Sequence, residues 1–240
     1  MNRRYYLGIA SVLYFVCFVA FSALIANSFE IINPSNKVKI ISAGIGIASG
    51  YLATLFLGFF YNNEKSAQSM RYYLSALFLA YVIMLADFTL IDDNFGRNIF
   101  NILEWDKQAF KQYIDQSTNI VPFATIRLFI NGYLNDNLTL TDTVINLLGN
   151  FAAFMPIPFF INVFSHKEMS FTRVLLTVAL SVIAVELLQF IFLTGSSDID
   201  DLILNTVGAV LFYTVSKISV VSKGISKLTF GVWKVIEGKA

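Results

Sequence analysis

The sequence predicts an all-α integral membrane protein with about six transmembrane helices and a long, partly helical outer loop between helices 3 and 4. Hydrophobic residues make up 56% of the 240 residues and charged residues only 14%, whereas charged residues make up about 25% of soluble domains. Apolar stretches of about 20 residues with at most one charged residue recur along the chain, and this is the length that crosses a hydrocarbon layer of about 30 Å. A formal net charge of +1 gives no electrostatic reason to expect a nucleic-acid partner.

The predicted spans fall into two groups on either side of the loop. In chain order they are 5–26, 40–61, 72–91, 144–164, 174–193 and 202–222. Residues 1–91 are expected to form an N-terminal three-helix anchor region, and residues 144–222 a set of core helices. Small residues recur at every fourth position of the second span, which favours close approach of a neighbouring helix and leaves dimerisation open: Ser42, Gly46, Gly50, Thr54 and Gly58.

The distribution of basic residues predicts the orientation. With the N-terminus inside, most of the 17 lysines and arginines lie on the cytoplasmic side, as the positive-inside rule requires. The sequence therefore predicts a multi-pass protein of the cell membrane with both termini in the cytoplasm. In residues 223–240 the apolar residues and the lysines fall on opposite faces of a helix, which indicates an interfacial helix on the cytoplasmic surface.

The segment 92–143 is long for a connection between two spans, and such loops are usually functional or disordered. Apolar residues recur in it at roughly helical spacing between charged ones, which indicates an amphipathic helix on the outer membrane surface. A second apolar piece, 126–134, is too short to cross and is expected to be re-entrant or interfacial.

Strongly polar residues within predicted spans are costly in lipid and are therefore candidates for function. On the fourth span Asn146 and Asn150 share a helix face, and on the fifth Glu186 and Gln189 do so. The start of the sixth span and the loop supply the other candidates: Asp198, Asp200, Asp201, Asn205 and Asn119. The helix rise places the span residues at similar depth near the outer surface, so we expect one polar cluster there. Asp87, close to the end of its span, is expected to reach water.

Two kinds of chemistry suit this set of side chains. Carboxylate and amide oxygens are ligands for Mg²⁺ or Ca²⁺, so a divalent cation is predicted at Glu186, Asp198, Asp200 and Asp201. A proton shared between Glu186 and a neighbouring carboxylate would instead favour acid–base chemistry. Structural roles stay open as well, because aspartates cap helices and asparagines join them. No Walker-type loop or Ser/His/Asp set occurs, so catalytic residues are not assigned.

The order and spacing of these polar residues resemble the VanZ-like family over residues 115–215. The matching motifs are Asn119-x-x-Pro122-Phe123, Asn146-x-x-Gly149-Asn150 with Phe154 and Pro156, Glu186-x-x-Gln189, and Asp198-x-Asp200-Asp201 with Asn205 and Gly208. The resemblance implies a bacterial cell-envelope membrane protein, because the founding member is linked to resistance to the glycopeptide antibiotic teicoplanin.

The chain departs from the family pattern at a few positions. Pro158 stands where a glycine is expected, and Asn162 where a second proline is common. Ser196 and Ser197 replace the basic residue that often precedes the aspartate element. If that basic group binds an anionic ligand in relatives, this protein must bind the ligand differently or not at all.

Three functions follow as hypotheses. The first is an outward-facing polar pocket that engages a lipid-linked cell-wall precursor or a lipophilic glycopeptide, with membrane lipids as neighbours. The second is a metal-dependent membrane enzyme acting on a lipid-linked phosphate or acyl substrate. The third is a small transporter, because Pro156 and Pro158 interrupt the fourth span as broken helices do in carriers.

Overall fold

The computed structural model describes residues 3–28, 36–92, 97, 102–103, 105–165 and 170–236, and these residues are almost entirely helical. The predicted all-α class is confirmed. In the described part of the chain, six helical segments are long and apolar enough to cross a membrane: Arg4–Ser28, Asn36–Phe60, Asn63–Ile91, Leu140–Phe164, Phe171–Phe192 and Ile199–Ser216.

The elements follow one another in a simple order. The helices are α1 (Arg3–Ser28), α2 (Asn36–Phe60), α3 (Asn63–Ala86), α4 (Lys107–Ser117), α5 (Ala124–Leu134), α6 (Leu140–Ala153), α7 (Ile157–Phe164), α8 (Phe171–Phe192), α9 (Ile199–Ser216) and α10 (Ser219–Leu228). A π-helical turn, Asp87–Ile91, continues α3. The two-residue strands β1 (Thr118–Asn119) and β2 (Ser197–Asp198) pair in parallel.

Local capping explains where the helices start and stop. The third span begins earlier than predicted because the Asn62 side chain accepts a hydrogen bond from the Lys65 backbone N–H. The fourth begins at Leu140 because Thr139 and Asp142 form a reciprocal capping box. The predicted interruption of this span is confirmed, since α6 ends at Ala153 and α7 begins after Pro156.

The chain divides into two compact units, a first unit of Met1–Asn94 with Lys223–Lys234 and a second unit of Phe95–Ser222 with Val235–Ala240. In the first unit, α1 and α3 cover the small-residue face of α2. A Cβ atom on Gly46 would lie 2.9 Å from the Phe21 ring, and one on Gly50 would lie 2.7 Å from the Tyr73 ring. The predicted close approach is thus made by helices of the same chain, so this stretch of α2 is already covered.

The C-terminal tail up to Lys234 belongs to the first unit. The Tyr51 hydroxyl donates to the Leu228 carbonyl oxygen at 3.1 Å. A Cβ atom on Gly58 would contact the Phe230 ring, so this ring packs closely on α2. Trp233 is fully buried. The residues after α10 therefore fold back onto α2, while their location on the cytoplasmic side stays a prediction.

A buried ion-pair cluster stands at the end of α3. The Lys39 ammonium donates to Asp87 at 2.7 Å and to Asp92 at 3.0 Å, and all three residues are about 1% exposed. The expectation that Asp87 reaches water is wrong, because the π-helical turn holds Asp87 and Asp92 together against Lys39. A charge this deep is stable only when it is paired.

Replacement of Lys39 by Met should strongly destabilise the protein. The change removes the cation and leaves the Asp87 and Asp92 carboxylates buried without it, which costs about 3–5 kcal/mol. The measurement is thermal or denaturant unfolding of the purified protein in detergent. Lys37→Met, at an exposed position on the same helix, is the control, and equal unfolding midpoints for the two variants would contradict the importance of the cluster.

Candidate functional site

A short parallel strand pair ties the long loop to the start of α9. Thr118 lies opposite Ser197, and Asn119 lies opposite Asp198. The Asn119 side-chain amide donates to Asp198 Oδ1 at 2.9 Å and to the Thr125 hydroxyl at 3.1 Å. Its carbonyl oxygen accepts from the backbone N–H of Val121 at 2.9 Å. Two predicted site residues far apart in sequence, Asn119 and Asp198, are therefore in direct contact.

Asp200 anchors the N-terminus of α5. Its carboxylate is fully buried and accepts three backbone N–H groups, from Phe123 at 2.5 Å, Thr125 at 2.8 Å and Ile126 at 3.1 Å. A carboxylate at a helix N-terminus satisfies free N–H groups and complements the helix dipole. Phe123 adopts a left-handed conformation with φ 65° as the chain turns into the helix. Both Asp200 oxygens are thus occupied by backbone donors.

Asp198 and Glu186 join α9 to α8. Asp198 caps α9, since its Oδ1 accepts from the Asp200 backbone N–H at 2.8 Å. The Asp198 backbone N–H in turn donates to Glu186 Oε2 at 3.0 Å. Glu186, which sits about two turns from the end of α8, thereby contacts the aspartate-rich segment directly.

Asp201 joins α9 to α6. Its carboxylate accepts from the Asn150 side-chain amide, and its backbone carbonyl accepts from the Asn205 amide at 2.7 Å. The two helices approach closely because a Cβ atom on Gly208 would overlap the backbone carbonyl oxygen of Phe151. The absence of a side chain at Gly208 therefore brings Asn150 opposite Asp201.

Two further predicted site residues are Asn146 and Gln189. Asn146 is exposed, and its side-chain amide donates to the Asp142 carbonyl oxygen within its own helix at 2.8 Å. The structure does not bring Asn146 to the carboxylates. Gln189 is buried, and its backbone carbonyl accepts from Thr194 at 2.9 Å where α8 ends in a left-handed Leu193.

Sequence reasoning missed two members of the cluster, Arg97 and Tyr113. The Arg97 guanidinium lies against Gly195, where any Cβ atom would overlap it, and it interacts electrostatically with Glu186, Asp201 and Tyr113. The Tyr113 ring packs edge-on against Phe190, with 6.0 Å between ring centroids. No spacing rule links Arg97 to a motif a hundred residues away. The one sequence signal is that Ser196 stands where relatives often carry a basic residue, which leaves a place for a cation from another segment.

Tyr113 keeps its proton at this position. Burial raises the pKa of Tyr113 to about 12, and the nearby Glu186 carboxylate contributes to the rise. The hydroxyl is therefore a neutral hydrogen-bond donor at any physiological pH.

The four carboxylates of the predicted metal site have different partners in the structure. Among the residues that the structure describes, no three His, Cys, Asp or Glu side chains are placed to hold one metal ion. The Asp200 carboxylate accepts backbone N–H groups at the start of α5, and the Asp198 carboxylate caps α9. Of the four carboxylates, Glu186 and Asp201 are therefore the candidates for binding a ligand. Binding of Mg²⁺ or Ca²⁺ stays a prediction. What the geometry offers is two carboxylates beside a guanidinium and a phenol, a set suited to hydrogen-bond and charge recognition.

The fold and the site define a multi-pass α-helical membrane protein whose long loop is tied to the start of its last span. A family model described as VanZ/LLP1 matches residues 78–220, more than half of the chain. The chain belongs to this family. Searches of curated proteins and of solved structures found no match. The predicted resemblance to the VanZ-like family is confirmed, and the match also takes in the end of α3 and the whole loop.

Proposed function

We propose that the second unit holds an outward-facing polar pocket that engages an envelope lipid-linked component or a lipophilic glycopeptide and contributes to teicoplanin-type resistance. The observation that carries this proposal is the convergence of Glu186, Asp201 and Arg97 from three separate segments. Ionisable groups at membrane depth are costly and are usually retained for function. The family membership supports a role in the cell envelope.

Two neighbouring aspartates, Asp198 and Asp200, have structural roles that explain why they are buried. The Asp198 and Asp200 carboxylates serve helix N-termini and the loop, so their burial needs no ligand to explain it. Glu186 accepts the Asp198 backbone N–H and a hydrogen bond from the Ser197 side chain, and Asp201 accepts the Asn150 amide. Among the residues that the structure describes, neither carboxylate accepts three backbone N–H groups, as Asp200 does. Glu186 and Asp201 are therefore the groups that we assign to the ligand.

The proposed orientation follows from the basic residues. With both termini in the cytoplasm, α8 ends and α9 begins on the extracytoplasmic side. The pocket then opens where cell-wall precursors and glycopeptides meet the membrane.

The test of this function is a charge-neutralising pair of variants. Glu186→Gln and Asp201→Asn keep the size of each side chain and remove its charge. Each variant should therefore lose most of the teicoplanin resistance that overexpression of the wild-type protein confers. The measurement is the minimal inhibitory concentration of teicoplanin and of vancomycin at matched membrane abundance. Asp115→Asn, at an exposed position of α4, is the control and should behave as wild type. Unchanged susceptibility in the two site variants would reject the proposal.

An enzyme is the second candidate, and one observation favours it. Glu186 and Asp201 are close enough to interact electrostatically, and two such carboxylates can divide acid and base roles. The substrate would be a lipid-linked phosphate or acyl compound. Purified protein incubated with such substrates, with and without Mg²⁺ or Ca²⁺, should release product that the Glu186→Gln variant does not. An inactive wild-type protein would eliminate the enzyme.

A further inference from the structure

Hydrogen-bond donors without acceptors lie beside the carboxylates of the second unit. The Arg97 Nε and Nη1 atoms are buried and have no hydrogen-bond partner in the structure as described. The Tyr113 hydroxyl, in a residue only 8% exposed, has none either. Buried donors are nearly always paired in folded proteins, because leaving them unpaired costs free energy. Donors of this kind therefore require an acceptor from outside the chain.

The donors and the carboxylates belong to one place. Phe190, which packs on the Tyr113 ring, lies one helical turn from Glu186 on the same face of α8. Arg97 lies on Gly195, between the end of α8 and the start of α9, and acts on both Glu186 and Asp201. Among the described residues, none of the carboxylates comes within ion-pair distance of Arg97. The cation and the anions face the same region without neutralising one another.

A ligand that carries an oxyanion and an ammonium satisfies both sets of groups. A plain anion would be repelled by Glu186 and Asp201, and a plain cation would leave Arg97 and Tyr113 without acceptors. We propose that the site takes a zwitterionic lipid head group, with its phosphate at Arg97 and Tyr113 and its primary ammonium at Glu186 and Asp201. This inference rests on the proposed function, since it assumes that the same pocket binds an envelope ligand, and it names the chemical class of that ligand.

The choice of a phosphate and a primary ammonium follows from the membrane setting. The site lies between the end of α8 and the start of α9, two helices long and apolar enough to span a membrane. The ends of spans lie near the lipid head groups, where phosphate is the abundant oxyanion. Arginine and a neutral phenol both donate to phosphate oxygens. A primary ammonium has N–H donors for two carboxylates, whereas a quaternary ammonium has none.

The experiment measures binding of three short-chain lipids to the full-length protein in neutral detergent. The probes are dihexanoyl phosphatidylethanolamine, phosphatidylcholine and phosphatidylglycerol, with free phosphoethanolamine as the arm that separates a lipid from a soluble ligand. We expect the phosphatidylethanolamine to bind about tenfold more tightly than the other three probes, the effect of one charge-assisted contact. Equal affinity for the three lipids, or tighter binding of free phosphoethanolamine, would overturn the inference.

Variants locate the two halves of the head group. Tyr113→Phe removes one hydroxyl and keeps the ring against Phe190, so the unfolding temperature should not fall while affinity for phosphatidylethanolamine and phosphatidylglycerol falls about tenfold. Arg97→Gln should weaken both lipids likewise. Glu186→Gln should remove the preference for phosphatidylethanolamine and spare phosphatidylglycerol. A Tyr113→Phe protein that binds as wild type would contradict the phosphate contact.

The two proposals fail separately. If the lipid preference and its loss in Glu186→Gln are observed while teicoplanin susceptibility is unchanged, the head-group site stands and the resistance role falls. If susceptibility depends on Glu186 and Asp201 while the three lipids bind equally, the resistance role stands and the zwitterionic ligand is overturned.

Discussion

Replacement of Asp200 by Ala is expected to detach the start of α5 from α9 and to destabilise the second unit by about 4 kcal/mol. The variant removes a buried carboxylate that accepts from Phe123, Thr125 and Ile126. Hydrogen bonds to a charged acceptor are stronger than neutral ones, and their loss leaves three donors unpaired. Amide hydrogen exchange of residues 123–126 should become much faster, and the unfolding midpoint in detergent should fall.

The matched control for Asp200 is another aspartate that caps a helix. Asp106 accepts from the Ala109 backbone N–H at 2.6 Å at the start of α4, in an exposed position. Asp106→Ala should cost only about 1 kcal/mol and should leave exchange at residues 123–126 unchanged. Similar exchange in the two variants would mean that Asp200 does not hold the loop.

Replacement of Gly208 by Ala is expected to separate α6 from α9, at a cost of about 3 kcal/mol. The added methyl group would overlap the Phe151 carbonyl oxygen, and backbone cannot move aside as a side chain end can. Separation of the helices also withdraws the Asn150 amide from Asp201. The variant should therefore lose ligand binding as well as stability, as measured by unfolding in detergent and by lipid affinity.

Gly149 provides the control for this substitution. It lies next to Asn150 on α6, and a Cβ atom there would meet nothing within 4 Å. Alanine is a better helix former than glycine by about 1 kcal/mol, so Gly149→Ala should be neutral or slightly stabilising. Equal destabilisation by the two alanines would show that helix propensity, and not the close contact with Phe151, decides the result.

The membrane architecture could be predicted because it depends on local properties of the chain. Length and apolar content are sufficient to find the spans, and the prolines mark the break between α6 and α7. The convergence of Asn119, Asn150 and Glu186 on the aspartate-rich segment could also be predicted, because helix rise and topology place them at one depth. The contacts of Asp198 and Asp201 bring these three residues to that segment, and their role as a functional site stays a prediction.

The roles of individual carboxylates could not be predicted, because they depend on pairing at long range. The sequence gives Asp200 as one carboxylate of a polar cluster and carries no sign that its oxygens accept backbone N–H groups about 75 residues away along the chain. Asp87 looks solvent-accessible until Lys39 is brought to it from another helix. Arg97 belongs to no motif and reaches the cluster only through the path of the loop. The β1–β2 pair is too short to leave a strand pattern.

The central claim is that the long loop contacts the start of the last span on the extracytoplasmic side. Cross-linking of these two segments tests it most directly. Thr118→Cys with Ser197→Cys, made in a Cys17→Ser background, places two thiols at paired positions of β1 and β2. In intact cells, a short, charged, membrane-impermeant bifunctional thiosulfonate, which forms a disulfide with each thiol and releases sulfinate, should join them efficiently. SDS-denatured protein should not be joined. Failure to cross-link in native membranes, or reaction only after the membrane is opened, would contradict the account.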